Sequence, residues 1–168
     1  MLVKTQRDVE NIKKNGQLMG KILADLALLC KPGISTLEID NQAEKMIRAV
    51  GGRPAFKGYK THVADRPFPA TVCTSINTEL VHGIPKKNVI LKHGDIISLD
   101  SGMAWPYGKA ASDGDHEVFT DTALTVPVGA VPEKTKKLLH VTREALERGI
   151  KAAQPGNSVA SIGQAIEG

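Results

Sequence analysis

An α+β fold is the expectation for this chain of 168 residues. Three features carry it. Apolar residues recur at helical spacing over the first 50 positions. Three short stretches between 70 and 126 are β-branched or alternate apolar with polar residues. Helical spacing then returns from Pro132 onward.

The first helix is expected to occupy the opening 30 residues. Thr5 followed by Asp8 resembles a capping box, and Val9, Ile12, Met19, Leu23 and Leu26 fall on one face. Pro32-Gly33 stops it. Ser35 then caps a second helix, with Glu38 three positions on. Leu37, Ile39, Ala43, Met46, Ile47 and Val50 supply its apolar face, and Gly51-Gly52 ends it. Strands are expected over 70–76, 95–103 and 118–126. A third helix should run from Pro132, a favoured first-turn residue, to about Ala153. Leu138, Leu139, Thr142, Leu146 and Ile150 would be its buried stripe. Pro155-Gly156 stops that helix, and Ser158 can cap a short last one.

The ending repeats an earlier segment. Residues 32–39 read PGISTLEI and residues 155–162 read PGNSVASI. Pro, Gly, Ser and Ile match at equal offsets, and each copy joins a long amphipathic helix to another helix. An internal repeat accounts for this, and a shared helix–turn–helix signal is the alternative. On the repeat reading the chain is one domain, with a first pseudo-repeat at 1–131 and a second beginning at 132. The second copy stops near the counterpart of Met46, so the domain is expected to be incomplete.

Composition excludes several classes. Three Phe, two Tyr and one Trp are too few for a surface that stacks single-stranded bases. The net charge is +4, with lysines grouped at 13–14, 86–87 and 134–137. These read as solvated surface, with an anionic partner such as RNA or the ribosome as the alternative. The longest apolar stretch, 22–30, contains Asp25 and is too short to cross a bilayer. The N-terminus turns polar at Lys4 and Arg7, so no secretory leader and no membrane partner are expected. Cys30 and Cys73 stand in unrelated contexts, without metal-type spacing, and a reducing cytoplasmic location is the simplest reading.

Two aspartates draw attention within the strands. Ile96, Ser98, Asp100 and Gly102 share one face, and Phe119, Asp121, Ala123 and Thr125 share another. Opposite them lie the more apolar sets, Ile97, Leu99 and Met103 on one strand and Val118, Leu124 and Val126 on the other. An antiparallel register exists in which Asp100 faces Asp121. Like charges so placed destabilise a sheet unless a proton is shared or a cation lies between them. The competing reading is a solvated aspartate at a frayed strand end. The segment 72–85 (VCTSINTELVHGIP) places Cys73, Asn77 and His82 around a chain reversal. A lone loop histidine is more often structural or solvated than functional. The run DGDHE at 113–117 resembles metal ligands, but charged loop tips are common and it is read as solvated.

These motifs together resemble the type 1 methionine aminopeptidases. The matching stretches are KTQRDVENIKKNGQLMGKIL, KPGISTLEID, GRPAFKGYK, FPATVCTSINTELVHGIP, GDIISLDSG, TDTALTVPVG and QPGNSVASIGQAI, in family order from about residue 3 to 167. The resemblance is preferred over the related aminopeptidase P and creatinase group, which usually carries a further N-terminal domain that is not expected here. The resemblance implies the pita-bread fold, two pseudo-symmetric halves around a central site. It implies removal of the initiator methionine from new polypeptides, with one or two divalent ions (cobalt, manganese, iron or zinc) as cofactor. Asp100 matches the first aspartate ligand and Asp121 the second, bridging one. His82 matches the histidine that contacts substrate and steadies the tetrahedral intermediate. Tyr59, Phe68 and Cys73 match positions lining the methionine side-chain pocket, and Asn77 lies near a monovalent-cation loop.

The chain departs from the family in three places. Residues 61–66 (THVADR) lengthen the segment after GYK. Asp121 follows Asp100 by 21 positions, roughly twice the usual spacing, and the extra residues fall at 104–117. Such a loop is tolerable because closure entropy grows slowly with length. The third departure is that the family's remaining ligands, one histidine and two glutamates, would follow residue 168. Two functions are therefore expected as alternatives: a metallo-aminopeptidase whose site these residues only partly supply, or an inactive half-domain. The second would be a binding module that self-associates, or pairs with another chain, through its uncovered face.

Overall fold

The computed structural model describes residues 5–63, 65–108 and 116–168. Residues 1–130 and 131–168 form two compact units.

The first unit begins with α1 (Gln6–Leu29) and α2 (Thr36–Ala49). Both open on full capping boxes. The Thr5 side chain accepts from the Asp8 amide while Asp8 accepts from the Thr5 amide, and Ser35 and Glu38 do the same for α2. Each box satisfies two orphan amides that a helix start would otherwise leave to water. Gly33, at φ +99°, takes the left-handed turn between the helices.

Four strands form one sheet: β1 (Arg53–Pro54), β2 (Val72–Ile76), β3 (Ile96–Trp105) and β4 (Val118–Pro127). β3 is the centre. It pairs antiparallel with β1 and β2 along one edge and with β4 along the other. The helices cover one face of this sheet. Met19, Leu26, Ile39 and Ile47 meet Val72, Ile97, Leu99 and Met103 there, all fully buried. The opposite face carries Cys73, Asp100, Asp121 and Phe119, and that division positions the site.

Buried polar residues lock the layers in register. Asp40 of α2 accepts from the Thr71 and Val72 amides (2.7 and 3.0 Å), which fixes the start of β2. Asn15 of α1, 0% exposed, donates Nδ2 to the carbonyls of Met103 (3.0 Å) and Val118 (2.9 Å). It ties β3 to β4 where the long connection between them leaves and returns. Asn15→Ala is expected to strand two buried carbonyls and cost about 2–3 kcal/mol, measured as a lowered urea midpoint with an unchanged slope.

Several sequence expectations are corrected here. Asp100 does not face Asp121: Asp100 pairs with Ala123, and Asp121 pairs with Gly102. The two aspartates are diagonal neighbours on one face, which keeps them close while relieving direct opposition. Leu124 is 40% exposed rather than core. Helix α1 meets β4 near Val118 and Thr120, and Leu124 lies beyond that contact. Val9 is half exposed, because Asp8 and Asn15 take the inward positions of the first turns. The two-residue strand β1 was not anticipated. Of the run 113–117, residues 113–115 lie outside the described residues, as does position 64 in the segment 61–66. His116 pairs with Asp8 and Glu117 with Arg53.

The second unit contains α3 (Glu133–Ala152) and α4 (Val159–Glu167). Gly156, at φ +90°, makes the turn, and Ser158 is the N-cap of α4 without a side-chain capping bond. The expected stripe on α3 is not buried: Leu138, Leu146 and Ile150 are 57–62% exposed and Thr142 is exposed as well. α4 packs on α3 and seats at Gly149, where an added Cβ would meet Ile166 at 3.0 Å.

Candidate active site

A cavity of about 730 Å³ opens in the first unit on the sheet face opposite α1 and α2. Its size lies within the ordinary range of small-molecule pockets. Asp100 and Asp121 form its floor, with Gly102 between them. Gly102 is needed there. A Cβ would stand 3.0 Å from the Phe56 ring and 3.1 Å from the Thr120 carbonyl oxygen.

The floor is electrostatically strained. Burial holds the Asp100 carboxyl above the ordinary carboxylate range. The nearby Asp121 charge and a hydrogen bond between the two carboxyls add to this, and the His82 imidazole opposes it slightly. Cys73, the register partner of Asp100 on β2, feels the same field. Burial first, then Asp100, Asp121 and Asp40, push its thiol up to about 11. Cys73 is thus a neutral, apolar wall at physiological pH.

His82 reaches the cavity through an unusual backbone. Its φ is +59°, and the next residue, Gly83, pairs with the outer edge of β2. The Gly83 carbonyl accepts from the Thr74 amide (2.8 Å), and the Gly83 amide donates to Ser75 Oγ (3.1 Å). A Cβ on Gly83 would lie 2.3 Å from the Thr74 carbonyl oxygen. This close approach places His82 at the cavity mouth.

The aromatic wall comes from a small hairpin. Phe68 donates its amide to Tyr59 O and Gly58 donates to Phe68 O (2.9 and 2.8 Å), so Tyr59 and Phe68 line the same side. Phe56 meets Phe68 edge to face at 6.5 Å between centroids. Lys57 Nζ tethers the hairpin to Glu44 of α2 at 2.7 Å.

Six of the seven residues singled out from the sequence, His82, Asp100, Asp121, Tyr59, Phe68 and Cys73, therefore line one cavity. Asn77 does not. It sits in the turn from β2 at φ +52°, donating to Asp95 Oδ1 (2.8 Å) and accepting from the Ile96 amide (3.0 Å). Phe56 and Phe119 also line the cavity and were missed. The signal was present in the composition. The chain has three phenylalanines, and all three are in this wall.

Two convergent carboxylates that repel each other are a donor pair suited to a hard or borderline divalent ion. Among the described residues, no group of three or more His, Cys, Asp or Glu side chains is placed to hold a metal. The donors here fit a metal as part of a ligand set. No helix among the described residues is long and apolar enough to cross a membrane.

Known proteins are similar to this chain over nearly its whole length. It is 40% identical over 162 residues to a methionine aminopeptidase of Aquifex aeolicus, covering 96% of this chain and 59% of that protein. It is also 40% identical over 167 residues to methionine aminopeptidase 1 of Bacillus subtilis, covering 99% of this chain and 60% of that one. The chain thus spans about 60% of the length of these curated relatives. The crystal structure of methionine aminopeptidase from Rickettsia prowazekii superposes with a TM-score of 0.82 at 31% identity, over 98% of this chain and 59% of that one. A prolidase from Pyrococcus furiosus, at 20% identity and a TM-score of 0.76, shares the fold, the pita-bread fold. With its residues 10–168 matched by the model for metallopeptidase family M24, the chain belongs to that family.

Proposed function

We propose that these residues supply the first part of a methionine aminopeptidase site, which removes the initiator methionine from new polypeptides. The observation that carries this reading is the cavity itself. Two carboxylates meet at its floor, an imidazole stands at its mouth, and aromatic rings with an un-ionised thiol form its wall.

In this reading Asp100 and Asp121 would be the residues that hold one or two divalent ions of cobalt, manganese, iron or zinc. The ion would supply Lewis acidity at the scissile carbonyl. His82 donates a hydrogen bond to the substrate carbonyl and steadies the charge that develops on its oxygen. Tyr59, Phe68 and Cys73 enclose the unbranched thioether side chain in apolar surface and exclude water from it. Asn77 already has its carboxamide committed on both sides, so we give it a turn-forming part rather than the monovalent-ion part that the resemblance implies. Nascent chains as substrate go with a cytoplasmic location and with ribosome contact through the lysine groups.

The test is hydrolysis of Met-Ala-Ser by the product of the complete coding sequence. Release of methionine that needs added Mn²⁺ or Co²⁺, stops with chelator, and falls at least 100-fold in Asp100→Asn is expected. The 168 residues alone should release methionine at a negligible rate, because two carboxylates are too few donors. Metal-independent release would contradict the reading. The exposed stripe at Leu138, Leu146 and Ile150 favours a second reading, in which the 168-residue chain self-associates without catalysis. A sedimentation run that gives a dimer, together with no hydrolysis by any form, would support it.

A further inference from the structure

We infer that Arg53 is a positioning residue, whose guanidinium fixes the Phe119 ring as one wall of the methionine side-chain subsite. This rests on the function proposed above.

Arg53, Ala104 and Phe119 form one row across β1, β3 and β4. The row lies on the cavity face, next to the row that holds Gly102 and Asp121. The guanidinium is held in a fork by Glu117: Nε donates to Oε1 at 2.7 Å and Nη2 to Oε2 at 2.5 Å. A two-bond fork fixes the plane as well as the position of the group. So fixed, Arg53 Cζ stands 5.5 Å from the Phe119 ring centroid and 5.7 Å from that of Tyr107, within cation–π range.

Phe119 needs such a partner. Phe56 and Phe68 steady each other edge to face. Phe119 is 58% exposed, on a strand that pairs with β3 alone among the described strands. The Arg53 contact is the ring contact that orients it. The bond to Glu117 also keeps Arg53 ionised and the carboxylate low in its range. A purely structural pair linking β1 to β4 would need the fork but not the ring contact, and the test separates the two.

The chain's three phenylalanines allow ¹⁹F NMR with 4-fluorophenylalanine, where Phe119→Leu identifies one resonance by its loss. Adding L-methionine amide should shift all three resonances. In Arg53→Gln the Phe119 resonance should narrow and move toward the unfolded position, the other two should hold, and the amide should bind about threefold more weakly. Glu117→Gln should loosen Phe119 in the same way, and Arg53→Lys should restore part of the binding. If Arg53→Gln unfolds the chain, the Glu117→Gln and Arg53→Lys results decide. A Phe119 resonance unchanged in these variants overturns the proposal. So does an amide that shifts Phe56 and Phe68 but not Phe119, although the proposed function would survive it. If the amide moves none of the three, the subsite assignment and this proposal fall, while the function itself is decided by the Met-Ala-Ser assay.

Discussion

Asp121→Asn is expected to make the metal-free chain more stable at neutral pH, by about 0.5–1 kcal/mol, while removing its stabilisation by divalent ions. The first effect follows from relieving a like-charge contact across adjacent strands. The Asp100 carboxyl is held above its unfolded value, near 3.9, so the folded state prefers its protonated form. Its unfavourable contribution is absent below the unfolded pKa. It grows as pH rises through the raised folded pKa and is complete above it. Glu44 and Glu117 are shifted the other way by Lys57 and Arg53, and contribute stability that is lost as pH falls. The natural chain's own pH profile mixes these signs. The difference between it and Asp121→Asn isolates the pair: small at pH 3, rising across the acid range, and flat at neutral pH. Urea titrations at each pH measure it. A stabilising substitution that abolishes ion binding is the expected signature of a site that carries strain for function.

Gly83→Ala is expected to cost about 2–3 kcal/mol and to displace His82. The added methyl would lie 2.3 Å from a backbone oxygen that cannot swing away. Relief requires opening the Thr74–Gly83 hydrogen bond, which anchors the histidine turn to β2. Amide exchange should speed up at Thr74, and the His82 ring resonances should move. A substitution at a solvated loop would do neither. The result therefore also tests whether His82 is held in place or merely sits in a loop.

The sequence made most of the first unit legible for local reasons. Thr5/Asp8 and Ser35/Glu38 cap their helices through side chains three positions apart, which is a contact that a linear reading can see. Alternation assigned Asp100 and Asp121 to one face correctly, because a strand's period is fixed. Register was not legible, since it depends on where β3 and β4 meet across a long connection. The direct opposition that one possible register allows is a diagonal in the structure. Burial failed where it depends on a neighbour rather than a pattern. Leu124 and the Leu138–Ile150 stripe have sound periodicity and are nonetheless exposed. Phe56 and Phe119 were missed for a similar reason. An aromatic residue announces a pocket only once the strands have brought the others beside it.

The central claim is that Asp100 and Asp121 share a divalent ion. Mn²⁺ titration of the 168-residue chain, followed by paramagnetic broadening of assigned amides, tests it most directly. Broadening should begin at Asp100, Gly102 and Asp121, reach Cys73 next, and vanish in the Asp100→Asn/Asp121→Asn double variant. Broadening that begins elsewhere, or that persists unchanged in the double variant, would contradict the account.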